Sequence, residues 1–333
     1  MGKGSDYGPS GSAPPWSLPL GRPTDREYCF YTARFEAAEL TTHVSRLTGS
    51  LEENVAAFVP LLKRHGAVAI PSHPISTDPK WLKITRDYLR YVPTATIHYF
   101  IKPGISFDEY LRQMSRKRRH ELLRKLRRFN EHSGGQIDLR GYRSLPEAQM
   151  FYPLARAISR KTYQQRLLDV GLPETASFEA ELLEMAGRDA MRGYLLFHRG
   201  TAIAYAYCTV TGDCLRFRCI GYDPAFRNLS AGIVLIYEAL RSAIGEHRFT
   251  IIDFDFGEAQ YKRAFATGSL RCATVFLFRP TIRRLFTVVA HRTCIAASDG
   301  CATLINRVGM KERLKQYFRT HGGHAGTGLR THV

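Results

Sequence analysis

The passage at 193–278 constrains the fold more than any other, because strand and helix signals follow one another there in a fixed order. Alternating apolar residues separated by turn residues predict three strands in an antiparallel meander. The spacing of apolar residues then predicts a helix, a strand, a short helix and a last strand. The predicted elements are strands at 193–197, 202–210 and 214–222, a helix at 233–244, a strand at 249–254, a short helix at 258–265 and a strand at 272–278. This order predicts an α+β protein with a mixed sheet.

The first half carries three capping boxes, in which a serine and a glutamate three residues later satisfy the free amides of a first helical turn. They predict helices that begin after Ser50, Ser106 and Ser144. Short strands are predicted at 67–70 and 96–101. The helix after Ser106 is predicted to run on through the basic segment SRKRRHELLRKLRRF until Gly134 stops it.

Four segments are predicted from these signals. They are a disordered leader at 1–25, an N-terminal half with the basic helix at 26–143, a core at 144–280 and a basic helical tail at 281–333. The leader lacks the apolar run of a secretory signal. The apolar stretch at 285–305 contains two charged residues and a histidine, so it does not predict a membrane-spanning helix. The tail after Met310 is predicted to dock on the domain or on a membrane.

Charge and cysteine content bear on partners and location. The chain has 333 residues, with 48 Lys and Arg against 30 Asp and Glu, which gives a formal net charge of +18. Such a charge favours polyanionic partners. The seven cysteines form no CxxC pair, which predicts reduced thiols in the cytoplasm and neither a disulfide framework nor a zinc site. No metal is expected.

The loop before the predicted helix at 233–244 is the first candidate ligand site. It contains Arg227, Asn228, Ser230, Ala231 and Gly232. Small residues allow backbone amides to approach a ligand closely, and the positive end of a helix favours a phosphate. The alternative is an ordinary strand-to-helix turn in which Ser230 is the N-cap.

The order of elements and the segment RNLSAG resemble the GNAT acyltransferases, in which this loop binds the pyrophosphate of coenzyme A. Their usual loop has Arg or Gln, two residues, Gly, one residue, and Gly or Ala. Arg227 and Gly232 match its two ends, whereas Ser230 stands at the first glycine. The resemblance implies acetyl-CoA or another acyl-CoA as the donor, entering where the third strand separates from the strand that starts at Phe249. It implies donor contacts from Cys219, Gly221, Arg227, Asn228, Ser230, Ala231 and Gly232.

The segments IGYDPAFRNLSAGIVL and DFDFGEAQYKRAF also resemble bacterial GNAT-like proteins associated with cellulose and exopolysaccharide biosynthesis. Their pattern D-F-x-x-G-x-x-x-Y-K is matched by Asp253, Phe254, Gly257, Tyr261 and Lys262. That family is similar to the Fem-type aminoacyltransferases, which are built from two GNAT-like halves. The resemblance therefore implies a GNAT fold, with a mostly antiparallel sheet flanked by helices, and allows a second GNAT-like half before the core.

The same passage supplies candidate catalytic residues. Acyl transfer to an amine needs a neutral nitrogen, a route for its proton and stabilisation of an oxyanion. Asp253, at the end of an apolar strand, is a candidate base, and Asp255 is its rival. Tyr261 is a candidate to protonate the leaving thiolate, and Lys262 is a candidate contact to a substrate phosphate or carboxylate. In the structural alternative, Asp253 caps the next helix or pairs with Lys262, and the Tyr261 ring packs in the core.

The basic helix at 115–128 has three interpretations. Its arginines and lysines suit a nucleic-acid backbone or anionic lipid headgroups. They also suit a solvated face whose side-chain stems cover the core. The GNAT resemblance implies a third role, in which Arg118 and Arg119 hold a phosphorylated or polyanionic acceptor.

The sequence thus predicts a cytoplasmic acyltransferase, with an option of peripheral contact at the inner membrane. It would transfer an acyl group from coenzyme A to an amine or sugar hydroxyl in envelope or polysaccharide metabolism. One alternative is a Fem-like transferase that uses aminoacyl-tRNA. The other is a non-catalytic GNAT fold that binds nucleic acid or a membrane through the basic helix.

Overall fold

A computed structural model describes residues 24–30, 33–39, 51–104, 106–162, 171–255 and 257–307. Contacts between Cα atoms divide the chain into two compact units. The first unit comprises Met1–Ala95 and Arg271–Ala296, and the second comprises Thr96–Leu270 and Ala297–Val333. The capping box predicted at Ser50 and the tail after Met310 lie outside the described residues.

Helices and strands alternate along the chain. In chain order they are β1 Thr24–Phe30, β2 Ala33–Glu39, α1 Leu51–His65, β3 Ala67–Pro74, β4 Leu82–Ile84, β5 Leu89–Tyr91, β6 Ala95–Ile101, α2 Phe107–Gln113, α3 Arg116–His132, β7 Asp138–Tyr142, α4 Leu145–Lys161, α5 Ala176–Gly187, β8 Met191–His198, β9 Thr201–Thr211, β10 Cys214–Tyr222, a 3₁₀ helix Pro224–Leu229, α6 Ala231–Gly245, β11 Ile251–Asp253, α7 Gln260–Phe265, β12 Gly268–Phe278 and α8 Ile282–Arg307. Among the helices of this described part, none is long and apolar enough to cross a membrane.

The first unit is a small sheet with a helix on each face. Strand β3 lies parallel to β2 and antiparallel to β12, which also pairs with β5. Helix α1 covers one face, where Phe58 and Leu62 pack against Val275. Helix α8 covers the other face, where Val288 packs against Phe276. Neighbouring residues of β12 thus point to opposite faces, as the pleat of a strand requires.

The second unit is a mixed sheet between two helical layers. Its strands lie in the order β6, β11, β10, β9, β8 and β7. All neighbours are antiparallel except β10 and β11, which are parallel. Helices α4 and α5 pack on one face and α2, α3 and α6 on the other. Residues 194–197 of β8 are an unbroken apolar run because Tyr194 and Leu196 enter one core while Leu195 and Phe197 enter the other.

Two of the predicted capping boxes lie in the described residues: the one at Ser144 forms in full, and at Ser106 the serine half of the box forms. The Ser106 hydroxyl accepts a hydrogen bond from the Glu109 amide at 3.2 Å. The Ser144 amide donates to the Glu147 carboxylate at 2.8 Å, which is the reciprocal bond of a capping box.

The single long helix predicted after Ser106 was wrong. Helix α2 ends at Gln113, Met114 has extended backbone, and Ser115 starts α3 by accepting a bond from the Arg118 amide. A serine ahead of a run of good helix formers acts as an N-cap, which requires a non-helical backbone at its own position. Strand β7 and helix α5 were not predicted.

The division into units differs from the predicted limits at 143 and 280. Helix α3, which precedes residue 144, packs against α6 and against the 3₁₀ helix in the second unit. Its Leu126 and Phe129 belong to the same core as Leu235. The basic helix is therefore part of the unit that contains the candidate ligand loop.

Candidate active site

Strands β10 and β11 run together only briefly. Cys214, Leu215 and Arg216 pair with Ile251, Ile252 and Asp253, and there β11 ends. Strand β10 continues to Tyr222 along β9 alone. The two strands thus separate after residue 216. The acyl donor is predicted to enter at this separation.

A bulge in β10 lies just beyond that point. Phe217 pairs with Cys208 and Cys219 pairs with Tyr207, so Arg218 is an extra residue in the ladder with β9. A bulge disrupts the ladder and leaves the extra residue without its normal cross-strand partner. The bulge thus lies beside the gap, where β11 no longer pairs with β10.

The chain after β10 turns through the 3₁₀ helix at Pro224–Leu229 rather than an open loop. Asp223 fixes the start of the turn, because its carboxylate accepts bonds from the Ala225 amide at 3.0 Å and from Lys161 at 2.8 Å. Arg227 and Asn228 lie in this turn and are exposed. Their side chains are free to approach a ligand phosphate.

Ser230 joins the 3₁₀ helix to α6 in a left-handed conformation, with φ 56° and ψ 36°. Its carbonyl accepts bonds from the amides of Ile233 at 2.9 Å and Val234 at 3.1 Å. The amides of Ala231 and Gly232 come before these and have no acceptor inside the helix. Ser230 is the N-cap of α6, as that alternative predicted, although its side chain makes no capping bond in the described residues. Two free amides at the positive end of a helix suit a phosphate.

The conformation of Ser230 gives a stability prediction. A left-handed backbone costs an L-residue roughly 1–2 kcal/mol, and glycine avoids most of that cost. We expect Ser230→Gly to have a free energy of unfolding about 0.5 kcal/mol above that of Ser230→Ala, after allowing for the extra freedom of glycine in the unfolded chain. Urea denaturation of both variants measures the difference. A glycine variant less stable than the alanine variant would contradict the strained backbone.

Cys219 and Gly221 lie on the separated part of β10, but their side-chain positions face α4 and α5. Cys219 packs against the core between the sheet and these two helices. Burial raises the pKa of its thiol to about 11. A Cβ atom at Gly221 would lie 2.4 Å from the Tyr205 ring and 2.9 Å from Thr162. Packing therefore requires glycine at 221. Only the backbone of Cys219 and Gly221 is left to contact an acyl donor.

Asp253 is fully buried at the end of β11. Its Oδ1 lies 2.5 Å from His98 Nε2 and accepts the Asp255 amide at 2.8 Å. Its Oδ2 accepts Arg216 Nε at 3.0 Å. Asp253 therefore pairs with Arg216 and His98 rather than capping the next helix. A buried carboxylate held at both oxygens is badly placed to accept a proton from a substrate.

Asp255 is the more accessible of the two candidate bases. Its backbone is left-handed, with φ 60°, and its side chain is 15% exposed against 1% for Asp253. Its Oδ2 accepts Arg218 Nη1 at 3.0 Å. Asp255 thus lies beside the bulge and faces the gap more openly, so it is the better placed of the two for proton transfer.

Tyr261 and Lys262 lie together in α7. Burial, with a further contribution from Asp255, raises the pKa of Tyr261 to about 12, so its hydroxyl keeps its proton at neutral pH. The ring meets Phe254 edge to face, with centroids 6.1 Å apart. Lys262 is buried, which lowers the pKa of its amine, and Nζ donates to the Asp255 carbonyl at 3.3 Å. Lys262 is therefore an internal countercharge to Asp253 and Asp255, which are called here the acidic strand end.

Arg118 and Arg119 lie in the first turn of α3, and Arg118 is exposed. The Arg118 charge acts on Tyr110, whose hydroxyl donates to the Phe265 carbonyl at the end of α7 at 2.6 Å. Near the opposite end of α3, the Phe129 ring lies against His198, whose ring in turn lies against Phe226 of the 3₁₀ helix. The structure therefore brings the basic helix beside α6 and the 3₁₀ helix of the candidate donor loop.

Sequence reasoning missed His98, Arg216 and Arg218 as partners of the acidic strand end. Arg216 and Arg218 alternate with apolar residues in β10, and Asp253 and Asp255 alternate with Phe254 two residues apart. This matched alternation was the available signal for two adjacent Arg–Asp pairs. No local signal points to His98, which is 155 residues from Asp253. Within the described ranges, no group of three or more His, Cys, Asp or Glu side chains could hold a metal ion.

Comparison with known families gives one match in the second unit. Residues 116–263 match the family described as "Acetyltransferase (GNAT) domain". The matched segment begins with the basic helix and ends in α7, so it contains the β10–β11 separation, the donor loop and the acidic strand end. No curated protein matches the sequence.

Solved structures show a similar fold at low identity. The C-terminal domain (DUF2156) of a proposed lysylphosphatidylglycerol synthetase from Agrobacterium fabrum is 10% identical, with a TM-score of 0.50 over 81% of this chain and 84% of that one. FemX is 12% identical, with a TM-score of 0.48 over 77% and 83% of the two chains. A GCN5-related N-acetyltransferase from Kribbella flavida is 13% identical, with a TM-score of 0.33 over 69% and 74%. Residues 116–263 match the acetyltransferase (GNAT) domain family, and the mixed, mostly antiparallel sheet between helices that contains them is a GNAT-type fold.

Proposed function

We propose that this chain transfers an acyl group, acetyl in the simplest case, from a coenzyme A thioester to an amine or a sugar hydroxyl. The observation that carries the proposal is the separation of β10 from β11 beside a bulge at Arg218 and the amino end of α6. This arrangement offers backbone donors to a carbonyl and to a phosphate at the two sides of one gap. The match of residues 116–263 supports an acyltransferase.

The residues of the loop fit a pyrophosphate. The amides of Ala231 and Gly232 lack acceptors inside the helix, and the exposed Arg227 adds a positive charge. A Cβ at Gly232 would lie 3.1 Å from the Tyr222 ring, which is tighter than most such contacts. Because glycine has no Cβ, residue 232 does not displace the Tyr222 ring or the amides of Ala231 and Gly232.

We assign proton transfer to Asp255 and Tyr261, at the other side of the gap. Asp255 accepts the proton of the attacking amine or hydroxyl, directly or through water, because its side chain is the more exposed of the two acids. Tyr261, which holds its proton at neutral pH, donates it to the departing thiolate. Asp253 positions Asp255 by accepting its amide, and its other oxygen holds Arg216.

The acceptor is proposed to be a component of the cell envelope or of a polysaccharide, as in the cellulose- and exopolysaccharide-associated proteins that the sequence resembles. Arg118 and Arg119 would bind a phosphate or another anionic group of that acceptor. A location in the cytoplasm, at the inner membrane surface when the acceptor is there, follows from the same proposal.

The second candidate is a transferase that takes an aminoacyl group from tRNA. The +18 net charge and the basic helix beside the donor loop favour it. A nucleic-acid backbone bound by many arginines gives binding that weakens steeply with salt. A pocket for coenzyme A depends on salt much less.

A transfer assay separates the two candidates. The purified chain is incubated with acetyl-CoA and a panel of amines and sugars, and released thiol and acetylated product are measured together. A parallel incubation uses aminoacyl-tRNA and the same acceptors. Acetylated product with matching thiol release supports the proposal, and aminoacylated product alone favours the second candidate. Product from neither donor would contradict both.

A further inference from the structure

One side of α8 exposes large apolar side chains to solvent. Ile282 is 75% exposed, Phe286 is 72% exposed and Val289 is 41% exposed. At about 100° per residue, these three lie within roughly 60° of one another around the helix. They form one continuous stripe, called here the outer stripe of α8. A contiguous exposed apolar patch marks a binding surface.

The opposite side of α8 is fixed to the first unit. Val288 is fully buried against Phe276. His291 Nδ1 lies within hydrogen-bond distance of the Tyr91 hydroxyl, at 2.7 Å. The Arg284 guanidinium lies 5.2 Å from the centre of the Phe278 ring. The helix therefore cannot rotate to bury the outer stripe without losing this packing.

The charges around the stripe are all positive. Residues 279–298 contain four arginines and no aspartate or glutamate. Around the helix, Arg283 lies about 100° to one side of Ile282 and Arg292 about 80° to the other. Arg279 and Arg283 are exposed. The stripe thus has the exposed Arg283 on one side and, on the other, Arg292, which is partly buried and donates to the Pro93 carbonyl at 3.4 Å.

We propose that the outer stripe of α8 seats this chain on an anionic lipid surface. The helix lies in the plane of the interface, with Ile282, Phe286 and Val289 among the upper acyl chains and the arginines at the lipid phosphates. A nucleic acid would engage the arginines but leave the exposed Phe and Ile in water. A neutral protein partner would gain nothing from the arginines. This surface is independent of the proposed acyl transfer and of the basic helix α3.

Sedimentation with vesicles tests the proposal on the full chain. Vesicles of phosphatidylcholine alone are compared with vesicles in which about a third of the lipid is phosphatidylglycerol. The chain is expected to bind the anionic vesicles preferentially. The double variant Ile282→Ser/Phe286→Ser should reduce that binding by about tenfold or more, and Arg283→Gln should reduce it by about fivefold.

The matched control is Met150→Ser/Leu154→Ser on α4, because these residues are 56% and 39% exposed and lie at the same spacing. The control should bind vesicles as the wild type does, and all variants should keep the same thermal unfolding midpoint because the replaced side chains are exposed. The proposal is overturned if the chain does not bind anionic vesicles, or if Ile282→Ser/Phe286→Ser binds them with the same affinity as the wild type. It is also overturned if that variant instead converts a dimer to a monomer in light scattering without any vesicle binding by the wild type.

Discussion

The variant Asp253→Ala is expected to lose about 3–5 kcal/mol of unfolding free energy, or to fail to fold, because it removes the carboxylate that lies against the buried Arg216 and His98. Arg216 has only 12% of its side chain exposed, and His98 has 1%. Both lose the carboxylate that they contact, and the Asp255 amide loses its acceptor. Urea denaturation at neutral pH gives the free energy directly.

Two further variants keep this prediction testable if Asp253→Ala does not fold. Asp253→Asn retains an oxygen for the Asp255 amide and should show an intermediate loss. Asp255→Ala removes a more exposed pair with Arg218, so its loss should be below about 1 kcal/mol. Similar small losses at both positions would show that Asp253 is not the structural anchor of the site. Asp253 would then return as the leading candidate for the base.

The variant Tyr261→Phe is expected to lower kcat by about 100-fold, because it removes the proton donor to the leaving thiolate. The affinity for acetyl-CoA should stay unchanged, since the hydroxyl acts on charge that develops only during the reaction. Because burial raises the pKa of Tyr261 to about 12, the wild-type hydroxyl stays protonated through the pH range of an ordinary assay. Activity should therefore show no loss at alkaline pH that is traceable to this tyrosine until the pH approaches that value.

Tyr207→Phe is the matched control for that experiment. Tyr207 is a buried tyrosine that packs against α5 in the opposite helical layer, where its hydroxyl donates to Met185 at 3.5 Å. Its removal should leave kcat unchanged. A Tyr261→Phe variant that is as active as Tyr207→Phe would remove Tyr261 from the reaction and leave its ring as a packing residue against Phe254.

Local patterns were sufficient to predict much of the second unit. The third strand of the meander was predicted at 214–222, and β10 is Cys214–Tyr222. Helix α6 was predicted within two residues of its start and one of its end. These elements have strong apolar periodicity and clear turn residues, so their sequence alone carries the signal.

Other features depend on contacts that no local pattern contains. The break at Met114 arises because Ser115 competes as an N-cap inside what reads as one helical segment. The left-handed Ser230 follows from the way the 3₁₀ helix meets α6. Most plainly, His98 reaches Asp253 because β6 lies beside β11, and the register of strands far apart in sequence cannot be read from either one. The sequence therefore located the acidic strand end but not what neutralises it.

Calorimetric titration of acetyl-CoA tests the proposed donor site most directly when wild type, Gly232→Ala and Gly245→Ala are compared. Both glycines lie in α6. A Cβ at 232 would lie 3.1 Å from the Tyr222 ring, whereas a Cβ at 245 would meet nothing within 4 Å. We expect acetyl-CoA to bind to wild type and to Gly245→Ala with micromolar affinity, and to Gly232→Ala at least about tenfold more weakly. Failure of the wild type to bind, or equal affinity in all three proteins, would contradict a coenzyme A site at the amino end of α6.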